Sequence, residues 1–300
     1  MDRSSQLLDE ALGIVDDTSS MVSSSFPSSS VVLIEDCVET SGAFVIHHIL
    51  KRSLSPPSSA AVVLVSLSHP FSHYDRILRK LVHTFALSLS FVLFSQGCNL
   101  AAHRDNRRFF FCDMLMVDFP RQGQGNVSKG GLIELYAKIQ KVVEDISSSF
   151  GSGKCITIIL DDFSLIEVAA NGSLNHSLDF LRYCYALTSE FGLGLLVHTS
   201  CGGVYPLPSI QGCSLVILHH EDIYSAEESA ALILQMEYLA DVVIKAEPLA
   251  TGLAADVHGQ LTVLNKGIHD QLRSSKSKVH NFHFKLRENG VECFYPGTQA

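Results

Sequence analysis

The sequence predicts an α/β fold: a mostly parallel sheet with helices on both faces and an antiparallel C-terminal extension. Three observations carry this. Short apolar runs rich in β-branched residues alternate with stretches of helical periodicity over most of the chain, the pattern that builds βαβ units. Those runs lack polar alternation, as strands buried on both faces do. Near the C-terminus, DVVIKAE, HGQLTVLN, VHNFHFKLRE and VECFYPG follow one another without intervening helices. The last two read as a hairpin around Asn289-Gly290.

Taken in order, residues 1 to 30 are rich in Ser and Asp and read as a mobile tail with one short helix at 5 to 15. Residues 31 to 300 read as a single domain. VVLIED (31–36) is the first strand, and SGAFVIHHILKR (41–52) is a helix ending before Pro56 and Pro57. AVVLVSL (61–67) is the second strand. Ser72 and Asp75 have capping-box spacing for a helix from His73 through Leu81. RFFFCDML (108–115) is the third strand, and a Gly-rich break spans 121–131. Leu132, Leu135, Tyr136, Ile139, Val142, Val143 and Ile146 then repeat at helical spacing. CITIIL (155–160) is the fourth strand, LDFLRYCYALTSEF (178–191) a helix stopped by Gly192, and GLLVHT (194–199) the fifth strand.

Composition narrows the function classes. The chain is 46% apolar and only 18% charged, with a mean hydropathy of +0.22. That is apolar for a soluble chain and suggests surface meant for partners. No apolar run reaches the roughly 20 residues that span a bilayer. The early acidic residues Asp2, Asp9, Glu10, Asp16 and Asp17 argue against a transit peptide. A cytosolic and nuclear location is expected. None of the eight cysteines forms a C-x-x-C pair, so buried reduced thiols are expected and no metal site. The net charge of −9 provides no global attraction to nucleic acid.

FGSGKCITIILDD (150–162) looks like a phosphate loop followed by magnesium-steadying carboxylates. The order of elements rules it out. A phosphate loop follows a strand and opens a helix, whereas this one follows a helix and opens a strand. Position 148 is Ser where Gly is needed, and Cys155 stands where Ser or Thr should follow Lys154. The right topological place is the turn after the first strand, where Thr40, Ser41 and Gly42 stand. No lysine is available there, and Lys51 lies about 15 Å along the helix. Glu35, Asp36 and Glu39 put three carboxylates nearby instead; like charges about 4 Å apart repel by roughly 1 kcal/mol even in water. Asp161 and Asp162 keep the position of magnesium-binding carboxylates, but a loop or capping role is expected. The phosphate loop is degenerate, with no catalytic residue and no bound cofactor.

TSGAFVIHHILK, FSHYDRILRKL, GCNLAAHRDNRRFFFCDML, IILDDFS, LLVHT, IKAEPLATGLAADVHGQL and FHFKLRENGVECFYPGT, in this order, resemble the family of the sixth Elongator subunit, in a plant-like form. The resemblance spans residues 31 to 298. It implies a RecA-like fold without working nucleotide chemistry, assembled with the fourth and fifth subunits into a six-membered ring. It further implies that the ring binds tRNA and supports modification of the wobble uridine (U34) at C5. The segment VHTFALSLSFVLFSQ (82–96) departs from the family pattern, in which Leu81 would run directly into Gly97 as the helix-ending residue. Valine codons begin with GT and one glutamine codon ends in AG, so an in-frame retained intron is the expectation. Residues 202–214 are read as a second extra segment.

Other clusters have modest readings. His219, His220, Glu221 and Asp222 read as a solvated loop. His69, His73 and Tyr74 read as a polar capping surface or a partner contact. Ser41 and Ser72 lack a nucleophile-elbow glycine pattern, so hydrolase chemistry is not expected. Arg104, Arg107 and Arg108 form the best local basic patch, either a solvated turn or a contact to RNA phosphates. Lys276 and Lys278 have the same two readings.

Overall fold

Strands buried on both faces need neighbours on both sides, and the apolar runs find them in one sheet. The computed structural model describes residues 3–14, 29–55, 58, 60–81, 98–115, 127–149, 155–192, 212–223, 227–252, 254, 256–267, 277–287 and 290–297. Its strands are β1 (Val31–Asp36), β2 (Ala61–Ser66), β3 (Phe109–Asp113), β4 (Cys155–Leu160), β5 (Gly212–His220), β6 (Val242–Glu247), β7 (Gly259–Asn265), β8 (Lys278–Arg287) and β9 (Gly290–Phe294). They pair in the order β3-β2-β4-β5-β1-β6-β7-β8-β9. Pairings from β3 across to β6 are parallel. Those of β6 through β9 are antiparallel. The expected extension is therefore present.

The helices are α1 (Arg3–Leu12), α2 (Ala43–Leu54), α3 (Phe71–Lys80), α4 (Leu100–Asp105), α5 (Val127–Ser149), α6 (Ser164–Ala169), α7 (Leu174–Gly192) and α8 (Glu227–Leu239). Two apolar cores lie on opposite faces of the sheet. On one, Val32 and Ile34 of β1 belong to a cluster with Leu8 and Leu12 of α1, Ile46 and Leu50 of α2, Leu78 of α3 and Leu100 of α4. On the other, Val31 and Leu33 belong to a cluster with Leu135 and Ile139 of α5, Phe180 and Leu187 of α7, and Leu232 and Met236 of α8. The period of two along a strand produces this division. Each buried Leu, Ile or Phe contributes about 1.5–3 kcal/mol of transfer free energy.

Several local expectations change. The helix read within residues 5–15 is α1, and it is docked: Leu8, Ala11 and Leu12 are buried. Asp9 accepts from His48 at 2.8 Å and pairs with Arg52 at 3.1 Å, both on α2. The capping box at Ser72 does not form. α3 begins earlier, with Pro70 in extended conformation at its N-cap, and Asp75 instead bonds Arg79 and the Leu100 N–H. The fifth strand is 212–220, so Gly212 to Ser214 of the supposed extra segment lie in the sheet between β4 and β1. Residues 194–199, 202–211, the 150–154 loop, Lys276 and Asn289 lie outside the described residues. All seven described cysteines are reduced. Burial pushes the Cys98 thiol up to about 11 and the Cys213 thiol up to about 12.

Residues 82–96 also lie outside the described part, but the chain on either side of them is informative. Leu81 N–H donates to Ile77 O at 3.1 Å, and Cys98 N–H donates to Leu78 O at 3.2 Å. If Gly97 followed Leu81 directly, the second bond would be the six-to-one bond of a Schellman cap, with Gly97 in its left-handed position. Leu78 and Cys98 share one core, as that motif requires. Deleting the 15 residues 82–96 is expected to leave the melting temperature within about 3 °C of the full chain, followed by circular dichroism. A fall of roughly 10 °C or more would make the segment part of the fold.

Candidate functional site

The turn from β1 to α2 occupies the topological place of a phosphate loop, at the carboxyl ends of the parallel strands. Four of its N–H groups already have acceptors. Gly42 N–H donates to Asp36 Oδ2 at 2.7 Å, and Ala43 N–H donates to Ser41 Oγ at 3.2 Å. Val38 N–H donates to Asp222 Oδ2 at 2.8 Å, and Thr40 N–H to Cys37 O at 3.0 Å. A helix N-terminus attracts an anion through such groups and its dipole. Here the anion is Asp36, a fully buried side chain of the protein itself. The turn is also tight. A Cβ on Gly42 would come within 2.9 Å of Ile34 Cγ2, and one on Gly259 within 2.8 Å of the Thr40 methyl. Thr40 is therefore a packing residue, buried against β7.

His220 closes the site from the neighbouring strand. β1 and β5 are parallel with Asp36 in register with His220. His220 Nδ1 is hydrogen-bonded to Asp36 Oδ1, and Nε2 lies 3.6 Å from Asp162 Oδ2. Hydrogen bonds to Asp162 and Asp36 push the imidazole up to about 10, against the effect of burial. It is an imidazolium at neutral pH, and it supplies the positive charge missing from the turn. The solvated-loop reading of 219–222 is thus overturned for the two histidines. They end a central strand, and His219 is fully buried beside Phe163. The 3-10 turn Glu221–Ile223 follows.

A lysine does arrive, but on the other face of the sheet. Glu35 alternates with Asp36 and points away from the α2 N-terminus. Its Oε2 lies 2.8 Å from Lys245 Nζ on β6. Lys245 also meets Glu237 at 2.8 Å and Glu221 at 3.5 Å. Burial pulls the Lys245 ammonium down, but hydrogen bonds to Glu237 and Glu35 outweigh it and hold it above the usual lysine range. Burial pushes Glu35 up to about 7, opposed by Lys245. With three carboxylates around it, this ammonium is not available to a phosphate.

Both magnesium-position carboxylates are occupied too. Asp161 accepts from Leu67 N–H (2.7 Å), Ser68 N–H (3.3 Å), Ser66 Oγ (2.7 Å), Ser68 Oγ (3.0 Å) and Tyr74 OH (2.6 Å). Asp162 accepts from Ser164 N–H at 3.0 Å, at the start of α6. Tyr74, read as surface, is buried by this bond. His69 and His73 do sit at the rim, with rings stacked 4.1 Å apart.

Ser164, His219 and Glu167 lie together and resemble a hydrolytic triad. Ser164 Oγ is 3.4 Å and Glu167 Oε1 is 3.7 Å from the same nitrogen, His219 Nδ1. A relay needs opposite ring nitrogens and access to substrate, and Ser164 and His219 are both buried. Burial and the neighbouring His220 lower His219 to about 4. Burial, then Asp162, raises Glu167 to about 7.

The arginine patch divides. Arg108 donates to the carbonyls of Ala60 (3.3 Å), Ser53 (3.2 Å) and Ser58 (2.7 Å). It clamps the chain entering β2. Arg104 and Arg107 are exposed. Lys278 opens β8, also exposed.

A family profile described as Elongation complex protein 6 matches residues 15–288. Among curated proteins, "Elongator complex protein 6" of Rattus norvegicus is 24% identical over 270 residues, covering 86% of this chain and 88% of its own. That of Homo sapiens is 25% identical over 275 residues, with coverages of 86% and 88%. Among solved structures, an uncharacterized protein of Pyrococcus horikoshii matches with a TM-score of 0.54 at 14% identity, covering 97% of this chain and 98% of that one. A KaiC-like protein of Pyrococcus horikoshii matches with a TM-score of 0.50 at 11% identity, covering 90% and 92%. These structures speak to the fold alone, which is RecA-like. With a profile match over nearly its whole length and a RecA-like sheet whose phosphate turn is filled by its own aspartate, the chain belongs to the Elongation complex protein 6 family.

Proposed function

We propose that this chain is a non-catalytic Elongator subunit that joins the fourth and fifth subunits in a six-membered ring of RecA-like folds. The ring binds tRNA and supports C5 modification of the wobble uridine, in cytoplasm and nucleus. The observation that carries the non-catalytic part is the Asp36 carboxylate on the Gly42 N–H, held there by His220. A triphosphate would have to displace a buried ion pair to reach the helix N-terminus. Membership in a family named for a multisubunit complex supports the assembly part.

Two measurements test this. The purified chain alone is expected to show no ATP binding at 1 mM-scale titration (about −4 kcal/mol of binding free energy) and no hydrolysis. Turnover lost on Ser41→Ala would instead make it a stand-alone nucleotide-hydrolysing regulator. Co-expressed with the fourth and fifth subunits, it is expected to co-purify at hexamer size and shift labelled tRNA. A monomer in that preparation would sink the ring.

A further inference from the structure

We propose that the α3–α4 hairpin is the surface through which this subunit meets RNA, by contacts to backbone phosphates. The inference rests on the tRNA-binding reading above and gives it a location. Residues 71–81 and 98–108 hold Arg76, Arg79, Lys80, Arg104, Arg107 and Arg108 against only Asp75 and Asp105. The chain as a whole has the opposite balance, 22 Lys and Arg against 31 Asp and Glu. An acidic protein meets a polyanion only where its local field reverses sign, and this hairpin is such a place.

The two helices are joined into one unit. Asp75 accepts from Leu100 N–H at 3.2 Å and from Arg79 Nε at 2.7 Å, while Arg79 Nη2 donates to Asn99 Oδ1 at 3.0 Å. At the other end the Arg104 guanidinium lies over the Phe71 ring, 5.1 Å from its centroid. One of the two carboxylates is thus neutralised within the hairpin. Arg76, Lys80, Arg104 and Arg107 are exposed, and none has an ion-pair partner among the described residues. Arg76 and Lys80 are four apart on α3 and share a helix face. Arg107 sits at φ 55 in the turn after α4, with its side chain exposed. Among the described residues the sheet ends at β3 on this side, and the hairpin packs beside that edge. RNA fits better than an acidic protein segment because four exposed cations without carboxylate partners suit a regular row of phosphates.

The test uses the complex assembled with the fourth and fifth subunits and a fluorescein-labelled tRNA transcript, with anisotropy read from 50 to 200 mM salt. The triple variant R76Q/K80Q/R107Q is expected to weaken binding by about tenfold or more and to flatten the log–log salt slope by about 2–3. A K138Q/K141Q variant on α5 is expected to change neither. All three side chains are exposed, so an unchanged melting temperature separates lost contact from lost fold. A wild-type complex that fails to bind the transcript overturns the tRNA reading itself. A wild-type complex that binds, with the triple variant binding equally, overturns the surface alone. So does a triple variant that keeps its RNA affinity but sheds a sister subunit.

Discussion

Asp161→Ala is expected to lower the stability of the chain by about 4 kcal/mol, most of the margin of an ordinary domain. Five donors converge on that carboxylate, from two backbone N–H groups, two serines and the buried Tyr74. Removing it leaves several buried donors without an acceptor, at about 1–3 kcal/mol each where water cannot enter. The bonds also tie the end of β2 to the start of α3, so α3 should loosen with it. Asp161→Asn keeps the shape but turns an amide N–H toward donors, and should fall in between. Urea denaturation of the three forms measures this. An alanine variant within about 0.5 kcal/mol of wild type would show that the carboxylate is not structural, and would reopen a magnesium role.

His220→Ala should cost about 3 kcal/mol, because it strands the fully buried Asp36 carboxylate without its cation. The pH dependence provides the sharper test. The folded-state imidazole titrates near 10, far above the unfolded value near 6.5. Its stabilisation is therefore fully present below about pH 6.5 and is lost as pH rises through 10. Wild type should lose stability between about pH 7 and 10, and the variant should not show that decline. Parallel curves for the two proteins would remove His220 from the site. Asp36→Asn should behave like His220→Ala, since the two residues act as one pair.

Most strands were legible because burial on both faces leaves unbroken apolar runs, and tertiary packing has little room to override them. The antiparallel extension was equally clear. The strand at 212–220 was not read as one: SLVILHH is an unbroken apolar run, but it ends in paired histidines that read as solvent-facing. The absence of a lysine from the turn could be read directly; the residue that sits against the α2 N-terminus could not. Asp36 meets His220, 184 residues away, only because β5 lies beside β1, and no local pattern encodes strand order. Lys245 is hidden by the same non-locality. Arg107 and Arg108 are adjacent and chemically identical. Arg108 is held by carbonyls and Arg107 is exposed, and the left-handed backbone falls on Arg107 rather than on the neighbouring Asn106.

The docking of α1 has a consequence for synthesis. This helix leaves the ribosome before the other described elements, yet it rests on β7 and β9, which follow most of the sheet. At 5–20 residues per second the interval is roughly 15 s to a minute. Throughout that time Leu8, Ala11 and Leu12 have no seat, and Asp9 can reach only α2. The seat of α1 is thus complete only when β9 is made, and a nascent chain stalled before residue 290 carries a formed parallel sheet and an unclasped α1.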